Sequence, residues 1–257
     1  MDAGNGYGKL TNAVTRTIAI LEALSRQECA NLEDLARTTD LPKATLLRFL
    51  STLTALGYIL RDGNGMYHLT LRMFTVGSGA LKHTDLLKTA RPYAEDLART
   101  LGETVQLWTR EGNGSVCILS ILSSHILRIY SREGLVIPMY CTAAGKALLA
   151  AMPSSSLLDY LAAVPLKPFT PNTITEEEAL KEDIRGAAER GWAMDDEEFE
   201  EDIISIAAPI MDRASSAAAA ISVSWPSFRF SRAEARKHAG MIKAAAGSIS
   251  GLLGIPS

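Results

Sequence analysis

The sequence predicts an α+β protein: an N-terminal winged helix-turn-helix, then a larger region of strands with helices before, between and after them. Three observations carry this reading. Two short amphipathic stretches meet at Thr39-Asp40-Leu41 with almost no loop between them. Two β-prone runs, residues 58–61 and 66–69, follow directly and flank Asp62-Gly63-Asn64-Gly65. Beyond residue 85, β-rich runs alternate with capped helical stretches.

Residues 1–11 read as a flexible, glycine-containing tail. A first helix is expected over residues 14–24, with Ile18, Leu21, Ala23 and Leu24 turned inward. In the second, Leu32, Leu35 and Ala36 recur at i, i+3, i+4 and form one apolar stripe. Pro42 can open the third, because a first-turn residue needs no N–H donor. From there Leu46, Phe49, Leu50 and Leu53 share a face, while Lys43, Thr45, Arg48 and Thr52 put hydroxyls and cations on the other. Gly57 supplies the stop. The Gly-rich loop then closes a hairpin. Helix, helix, helix, hairpin is the order of a winged helix-turn-helix, whose second paired helix enters the major groove. A plain helical hairpin with a solvated polar face shares the pattern as far as Gly57; the hairpin and local charge argue against it.

The 257-residue chain carries a formal net charge of −3, which excludes a generic polycation. Residues 1–70 hold seven Lys/Arg and seven Asp/Glu, yet from Leu41 to Arg61 the cations Lys43, Arg48 and Arg61 stand without an acidic residue. Phosphate contacts need cations on the docking face alone, so double-stranded DNA remains a plausible partner for one surface. No apolar run reaches membrane-spanning length, and the first residues lack the charged and apolar regions of a signal peptide. Cys29, Cys117 and Cys141 are odd in number and far apart, so neither a disulfide framework nor a zinc ribbon is indicated. A reducing cytoplasm fits these features, and no membrane association is expected.

Residues 70–81 space Leu71, Phe74 and Leu81 as a connecting helix, with a plain linker as the alternative. A strong amphipathic helix over 85–101 turns Leu86, Leu87, Ala90, Tyr93, Ala94, Leu97 and Ala98 inward and closes at Gly102. Strands are expected at 105–109, 116–122 and 126–130. Thr142 can cap a small-residue helix over 143–151, and a short helix covers 156–162 before the proline-broken loop 165–171. Thr175 and Glu178 form a capping box for a helix ending at Gly191. Strands 203–211 and 217–225 flank a turn, and a second capping box, Ser231 with Glu234, opens the last helix.

The motifs for chemistry are thin. Gly145-Lys146 resembles the end of a phosphate-binding loop, but Tyr140 stands where its first glycine belongs and Ala147 where its Ser/Thr would be. The acidic run 195–202 has no histidine beside it and reads as a solvated face at a strand entrance. His68, His83, His125 and His238 are scattered, and nothing in the spacing asks for a Cys–His nucleophile pair. No enzymatic activity, cofactor or metal site is expected.

Several segments together resemble the IclR family of bacterial transcriptional regulators over nearly the whole chain. Leu41-Pro-Lys-Ala-Thr45, Arg48-Phe-Leu and Gly57-Tyr58 are similar to that family's recognition helix, and Arg91-Pro-Tyr with Gly102-Glu-Thr-Val105 to its inter-domain entry. Gly191-Trp-Ala-Met-Asp195-Asp-Glu-Glu198, then Ser205-Ile-Ala-Ala-Pro-Ile210, resembles its C-terminal signature. Met211 and Asp202 depart from it, where an aromatic or histidine and a glycine are usual. The resemblance implies a winged-helix domain over 12–70, a linker helix over 71–85 and a GAF-like effector-binding domain with an antiparallel sheet over 86–257. It implies DNA contacts from Lys43, Ala44, Thr45, Arg48, Thr52 and Arg61. It places effector contacts on Ile126, Ile129, Ile137, Ala143, Ala144, Asp195, Ile203, Ser205, Ser222 and Ser224.

Residue chemistry is compatible with that carry-over. Ser222 and Ser224 are two apart, so on a strand both hydroxyls face one side. With the N–H groups at a helix start near Thr142, they suit a carboxylate; they could equally line a polar strand face and bind nothing. Asp195 would accept from a ligand hydroxyl, because two like charges in one pocket repel. The expected function is a ligand-responsive regulator, dimeric or tetrameric, binding a pseudopalindromic operator and sensing a small organic acid, with aromatic acids among the candidates. The alternative is a catalytically silent metabolite-binding protein whose winged domain makes protein contacts.

Overall fold

The computed structural model describes residues 11–81, 86–212 and 216–254. The tail 1–10 lies outside the described residues, as do the end of the connecting segment, 82–85, and the tip of the last turn, 213–215. The chain divides into two compact units, 1–84 and 85–257.

The first unit runs α1 (Asn12–Ser25), α2 (Leu32–Thr39), α3 (Lys43–Ala55), the hairpin β1 (Ile59–Arg61) and β2 (Tyr67–Leu69), then α4 (Leu71–Leu81). Asn31 opens α2 by accepting from the Glu33 and Asp34 N–H groups, each at 2.9 Å. Those are two donors that a helix start otherwise leaves unpaired. Asp40 takes a left-handed conformation (φ 53°) and turns the chain into Pro42, the residue before α3. Gly57, at φ +76°, ends α3 where a side chain would be strained. The core gathers Ile20, Ala23 and Leu24 of α1, Leu35 of α2, Leu46, Leu50 and Leu53 of α3, and Ile59 and Tyr67 of the hairpin. Ala30 pairs with Tyr67 through two backbone hydrogen bonds, at 2.8 and 3.1 Å, which ties the hairpin to the start of α2. One expectation is corrected: Ile18 is 47% exposed, because the inward stripe of α1 is Ile20, Ala23 and Leu24.

The second unit begins with α5 (Leu86–Leu101) and continues β3 (Thr104–Glu111), β4 (Gly114–Ile121), β5 (Val136–Pro138), α6 (Ala143–Ala150), α7 (Ser154–Ala163) and α8 (Glu177–Arg190). Then come β6 (Ala193–Asp196), β7 (Ile203–Met211), β8 (Ala217–Pro226), α9 (Arg232–Lys237) and α10 (Ala239–Gly254). The strands form one antiparallel sheet in the order β5-β4-β3-β8-β7-β6. Its register sorts the residues into two faces, since directly paired residues project to the same side. Val105, Leu107, Ile221, Val223, Ile204 and Ile206 pack with α5 and α10. Trp108, Ala220, Ala207 and Ala193 pack with α6 and α8. The second face, continued by Gln106, Ser222, Ser224, Ser205 and Asp195, carries the polar residues.

Three local expectations fail here. Residues 126–130 form no strand. The Leu127 carbonyl accepts from Arg229 at 2.9 Å and the Ile129 carbonyl from Thr104 Oγ1 at 2.8 Å, so side chains occupy groups a ladder would need. Thr175 caps nothing: Glu176 precedes α8 without a side-chain cap, and Glu177 and Glu178 instead sit at the positive end of the helix dipole. The acidic run is a solvated face only in part: Glu200, Glu201 and Asp202 are exposed, but Asp195 and Glu198 are both 5% exposed. The capping box of Ser231 and Glu234 is present, with the last helical stretch divided at His238.

Candidate functional site

Two places gather the residues singled out in the sequence, one in each unit. On α3, Ala44, Arg48, Ser51 and Ala55 recur at i, i+4, i+7, i+11 and are exposed, opposite the buried Leu46, Leu50 and Leu53. Lys43 and Leu47 flank this stripe on one side, and Lys43 Nζ sits 3.2 Å from Glu33 on α2. Thr45 and Thr52 flank it on the other, where they line a groove of about 530 Å³ with Ala13, Arg16 and Thr17 of α1. The Thr52 hydroxyl is turned back to its own helix and donates to the Arg48 carbonyl at 2.9 Å. Arg48 lies on the exposed stripe and also borders this groove, whereas Thr45 and Thr52 lie at the stripe's edge toward α1. Ser51, which the sequence reading passed over, is better placed than either; its spacing of three from Arg48 is the signal that would have found it.

Arg61 stands on the wing, its guanidinium 5.6 Å from the Tyr67 ring centroid, with Nε donating to the Gly65 carbonyl at 3.5 Å. The loop is shaped by Asp62, whose carboxylate accepts from the Asn64 and Met66 N–H groups at 2.9 and 2.8 Å. His68 Nε2 lies 3.0 Å from the same carboxylate.

In the second unit the sheet register brings together residues far apart in sequence. Asp195 pairs with Ser205 across β6 and β7, Ser205 with Ser224 across β7 and β8, and Ser224 with Thr104 across β8 and β3. One step along, Ser222 pairs with Gln106. Asp195, Ser205, Ser222 and Ser224 border a cavity of about 100 Å³, completed by Ile129, Ile137, Ala143, Ala144 and Ile203 among others. Ile126 is the exception among the expected lining residues: it is 96% exposed and does not border the cavity, whose wall Ile129 supplies. Its loop is pinned at Leu127 and Ile129, so the alternation expected of a strand does not hold there.

The hydroxyls form a chain. Trp108 Nε1 donates to Ser222 Oγ at 3.0 Å. Ser222 and Ser224 both donate to Gln106 Oε1, at 3.1 and 3.3 Å. Ser205 donates to Ser224 Oγ at 2.9 Å, and Gln106 Nε2 donates to Ser131 Oγ at 2.9 Å. Gln106 is therefore the pivot that orients both serines. It escaped the sequence reading because a strand at 105–109 does not reveal which of its faces meets which partner. The start of α6 also borders the cavity: Thr142 accepts from the Gly145 N–H at 3.3 Å and donates to the Pro138 carbonyl at 2.7 Å. Gly145 is obligatory there, since a Cβ would fall 2.2 Å from Met139 Cα.

The charges of this region are unusual for an anion site. Asp195 Oδ1 accepts from the Glu198 N–H at 2.8 Å. Burial pushes its carboxyl up to about 8, against that hydrogen bond and with the nearby Glu198 charge adding to the rise. Lys146, 1% exposed, is held between Glu198 Oε1 at 2.5 Å and Asp183 Oδ2 at 2.7 Å. Burial disfavours its charge, but the two carboxylates outweigh that and hold its pKa above the ordinary lysine value. Gly145-Lys146 therefore serves as a close-packed helix start with a buried ion pair. A larger open cleft of about 770 Å³ is lined by the same Lys146 and Glu198 together with Arg190, Trp192 and Arg232. Two of its cations are engaged, Arg190 with Asp183 at 3.4 Å and Arg232 with Asp196 at 2.9 Å, while Arg236 lines it as well, and it lacks the paired hydroxyls. The smaller cavity, with convergent polar groups in an apolar wall, is the better candidate for a small ligand.

Comparison with known proteins agrees with both units. Residues 13–63 match the model of the IclR helix-turn-helix domain, and residues 78–251 match that of the bacterial transcriptional regulator IclR C-terminal domain. The chain belongs to the IclR family of bacterial transcriptional regulators. It is 35% identical over 244 residues to the HTH-type transcriptional regulator KdgR of Escherichia coli K12, covering 95% of this chain and 93% of that one. It is 32% identical over 249 residues to the HTH-type transcriptional repressor AllR of the same organism, covering 96% and 92%. The crystal structure of the Thermotoga maritima IclR is similar with a TM-score of 0.77 and 28% identity, over 95% of this chain and 99% of that chain. Members of the family are transcriptional regulators rather than enzymes, and DNA is the partner of the helix-turn-helix unit. Among the described residues no helix is long and apolar enough to cross a membrane.

Proposed function

We propose that this IclR-family regulator senses a small organic acid in the cavity beside Ser222 and Ser224, and that occupancy changes its binding to a pseudopalindromic operator. The observation that carries this reading is the convergence of Ser205, Ser222 and Ser224 on one sheet face, oriented by Gln106 and bordered by the start of α6. Hydroxyls and helix-start N–H groups are what a carboxylate accepts from when no cation is at hand. Ile129, Ile137, Ala143, Ala144 and Ile203 supply the apolar wall. About 100 Å³ is roughly the room of three water molecules, so a compact acid fits as the cavity stands, whereas an aromatic ring needs the loop at 122–135 to move.

The winged unit, residues 12–70, reads DNA, with Arg48 and its neighbours on α3 in the major groove and Arg61 on the backbone. Residues 71–85 connect it to the effector domain, residues 86–257. A pseudopalindromic site matches a twofold assembly, so the working form is a cytoplasmic homodimer or a tetramer built from dimers. The test is the double variant Ser222→Ala with Ser224→Ala, read by operator binding with and without small carboxylic acids. Each hydrogen bond to a charged group contributes ~1.5–3 kcal/mol, so the response to the acid should be lost while operator affinity stays at the wild-type value. A folded double variant that still responds at wild-type concentrations moves the pocket elsewhere.

A further inference from the structure

The cavity contains an acid and no base. From β6 comes Asp195, and from the turn after it Glu200, whose side chain is exposed. Strands β3, β7 and β8 contribute only an amide, an indole and hydroxyls: Gln106, Trp108, Ser205, Ser222 and Ser224. The loop at 122–135 adds Tyr130 and Ser131. Among the described residues no lysine, arginine or histidine borders the space. The cation whose field reaches Asp195, Lys146 on α6, is already shared by Glu198 and Asp183, so its charge is more than matched. Cys141, buried ahead of α6, is a thiol held neutral by that burial.

An anionic carboxylate entering this space meets a second carboxyl group in a buried site with no counter-ion. Two such groups cannot both ionise at close range; one proton between them removes the repulsion and supplies a short hydrogen bond. We propose that a carboxylate effector binds as a pair with Asp195 that holds one proton, so that the anion and the proton are taken up together. The balance is simple: ligand carboxylate, Asp195 carboxylate and one solvent proton give a complex in which the proton lies between the two carboxyl oxygens. Where Asp195 already carries the proton in the free protein, none is taken from solvent. Because burial holds the Asp195 carboxyl near 8 before any ligand arrives, uptake begins above that pH. Asp195 is then a donor to the ligand, the reverse of the acceptor role expected from its charge. This inference rests on the acid-effector reading above and adds the protonation state in which the acid is held.

Titration calorimetry on the full-length protein tests it with acetate, lactate and benzoate, each beside its neutral amide. For the carboxylate that binds, affinity should be flat below about pH 7.5 and fall by up to tenfold per pH unit above about pH 8, while the amide changes far less. Repeating the titration at about pH 9 in two buffers of different ionisation enthalpy should give close to one proton taken up, and close to none at about pH 6. Asp195→Asn keeps an acceptor for the Glu198 N–H and should remove the slope above pH 8. Carboxylate binding with a flat affinity and no proton uptake across this range in the wild type overturns the shared proton while leaving the acid effector standing. Failure of every carboxylate to bind at any pH overturns the acid-effector reading and this inference with it. The two-buffer measurement needs no variant, so a poorly folding Asp195→Asn does not spoil the outcome.

Discussion

The two sites of this protein are built in opposite ways. The face of α3 is a convex strip made by one 13-residue helix, exposed along its length and carrying the solvated cations Lys43 and Arg48. The cavity of the second unit is concave, and its buried polar residues come from β3, β6, β7, β8 and the start of α6, with Tyr130, Ser131 and Glu200 added by loops at its rim. Water decides the difference. On the surface, Lys43 and Glu33 keep 57% and 80% of their side chains exposed, and solvent screens whatever they gain from each other. In the interior, Lys146 and Glu198 retain 1% and 7%, and each is tolerable only because the other is there. A surface site can therefore recruit an anion with arginines, while a buried one must use hydroxyls, amides or a shared proton.

The sharpest way to break this comparison is to remove one cation from each unit. Lys146→Ala strands Glu198 and Asp183 and should destabilise the second unit by about 3–5 kcal/mol in urea unfolding followed by tryptophan fluorescence. Lys43→Ala should leave unfolding unchanged within error. Equal effects would mean that burial is not what separates the two pairs. A smaller effect is expected at the DNA face. Arg48→Ala should cost ~1–3 kcal/mol of operator binding and relax discrimination at one or two base pairs. Ser51→Ala should disturb base preference more than Thr52→Ala, since the Thr52 hydroxyl is already committed to the Arg48 carbonyl. If Arg48→Ala leaves affinity and preference intact, α3 is not the reader. The smallest effect belongs to the wing. Arg61→Ala should weaken specific and non-specific DNA alike and flatten the salt dependence by about one phosphate contact, measured as the slope of log affinity against log salt. A loss confined to one base position would assign Arg61 to a base instead.

Local rules made much of the architecture legible. The stripe of Leu46, Leu50 and Leu53 fixes which side of α3 is buried, and Asp62 with its glycines fixes the wing turn. The span of β7, residues 203–211, and the capping box at Ser231 follow from a continuous apolar run and from the reach of one side chain. Each of these depends on neighbours within a few residues, so composition and spacing suffice. The parity of Ser222 and Ser224 was equally plain, because a strand repeats every two residues.

What those serines face was not in the strand. Gln106 Oε1 receives both hydroxyls from 116 and 118 residues away, a choice made by the register of β3 on β8. Residues 126–130 are expected as a strand, yet Arg229, 102 residues on from Leu127, and Thr104 hold the carbonyls that a ladder would use, and Ile126 is left exposed. The acidic run at 195–202 read as a solvated face until Lys146, 52 residues before Glu198, drew that carboxylate inside. Periodicity tells which residues share a side. Only the closing of distant chain segments decides what that side meets, because burial and charge neutralisation are set by partners that no local window contains.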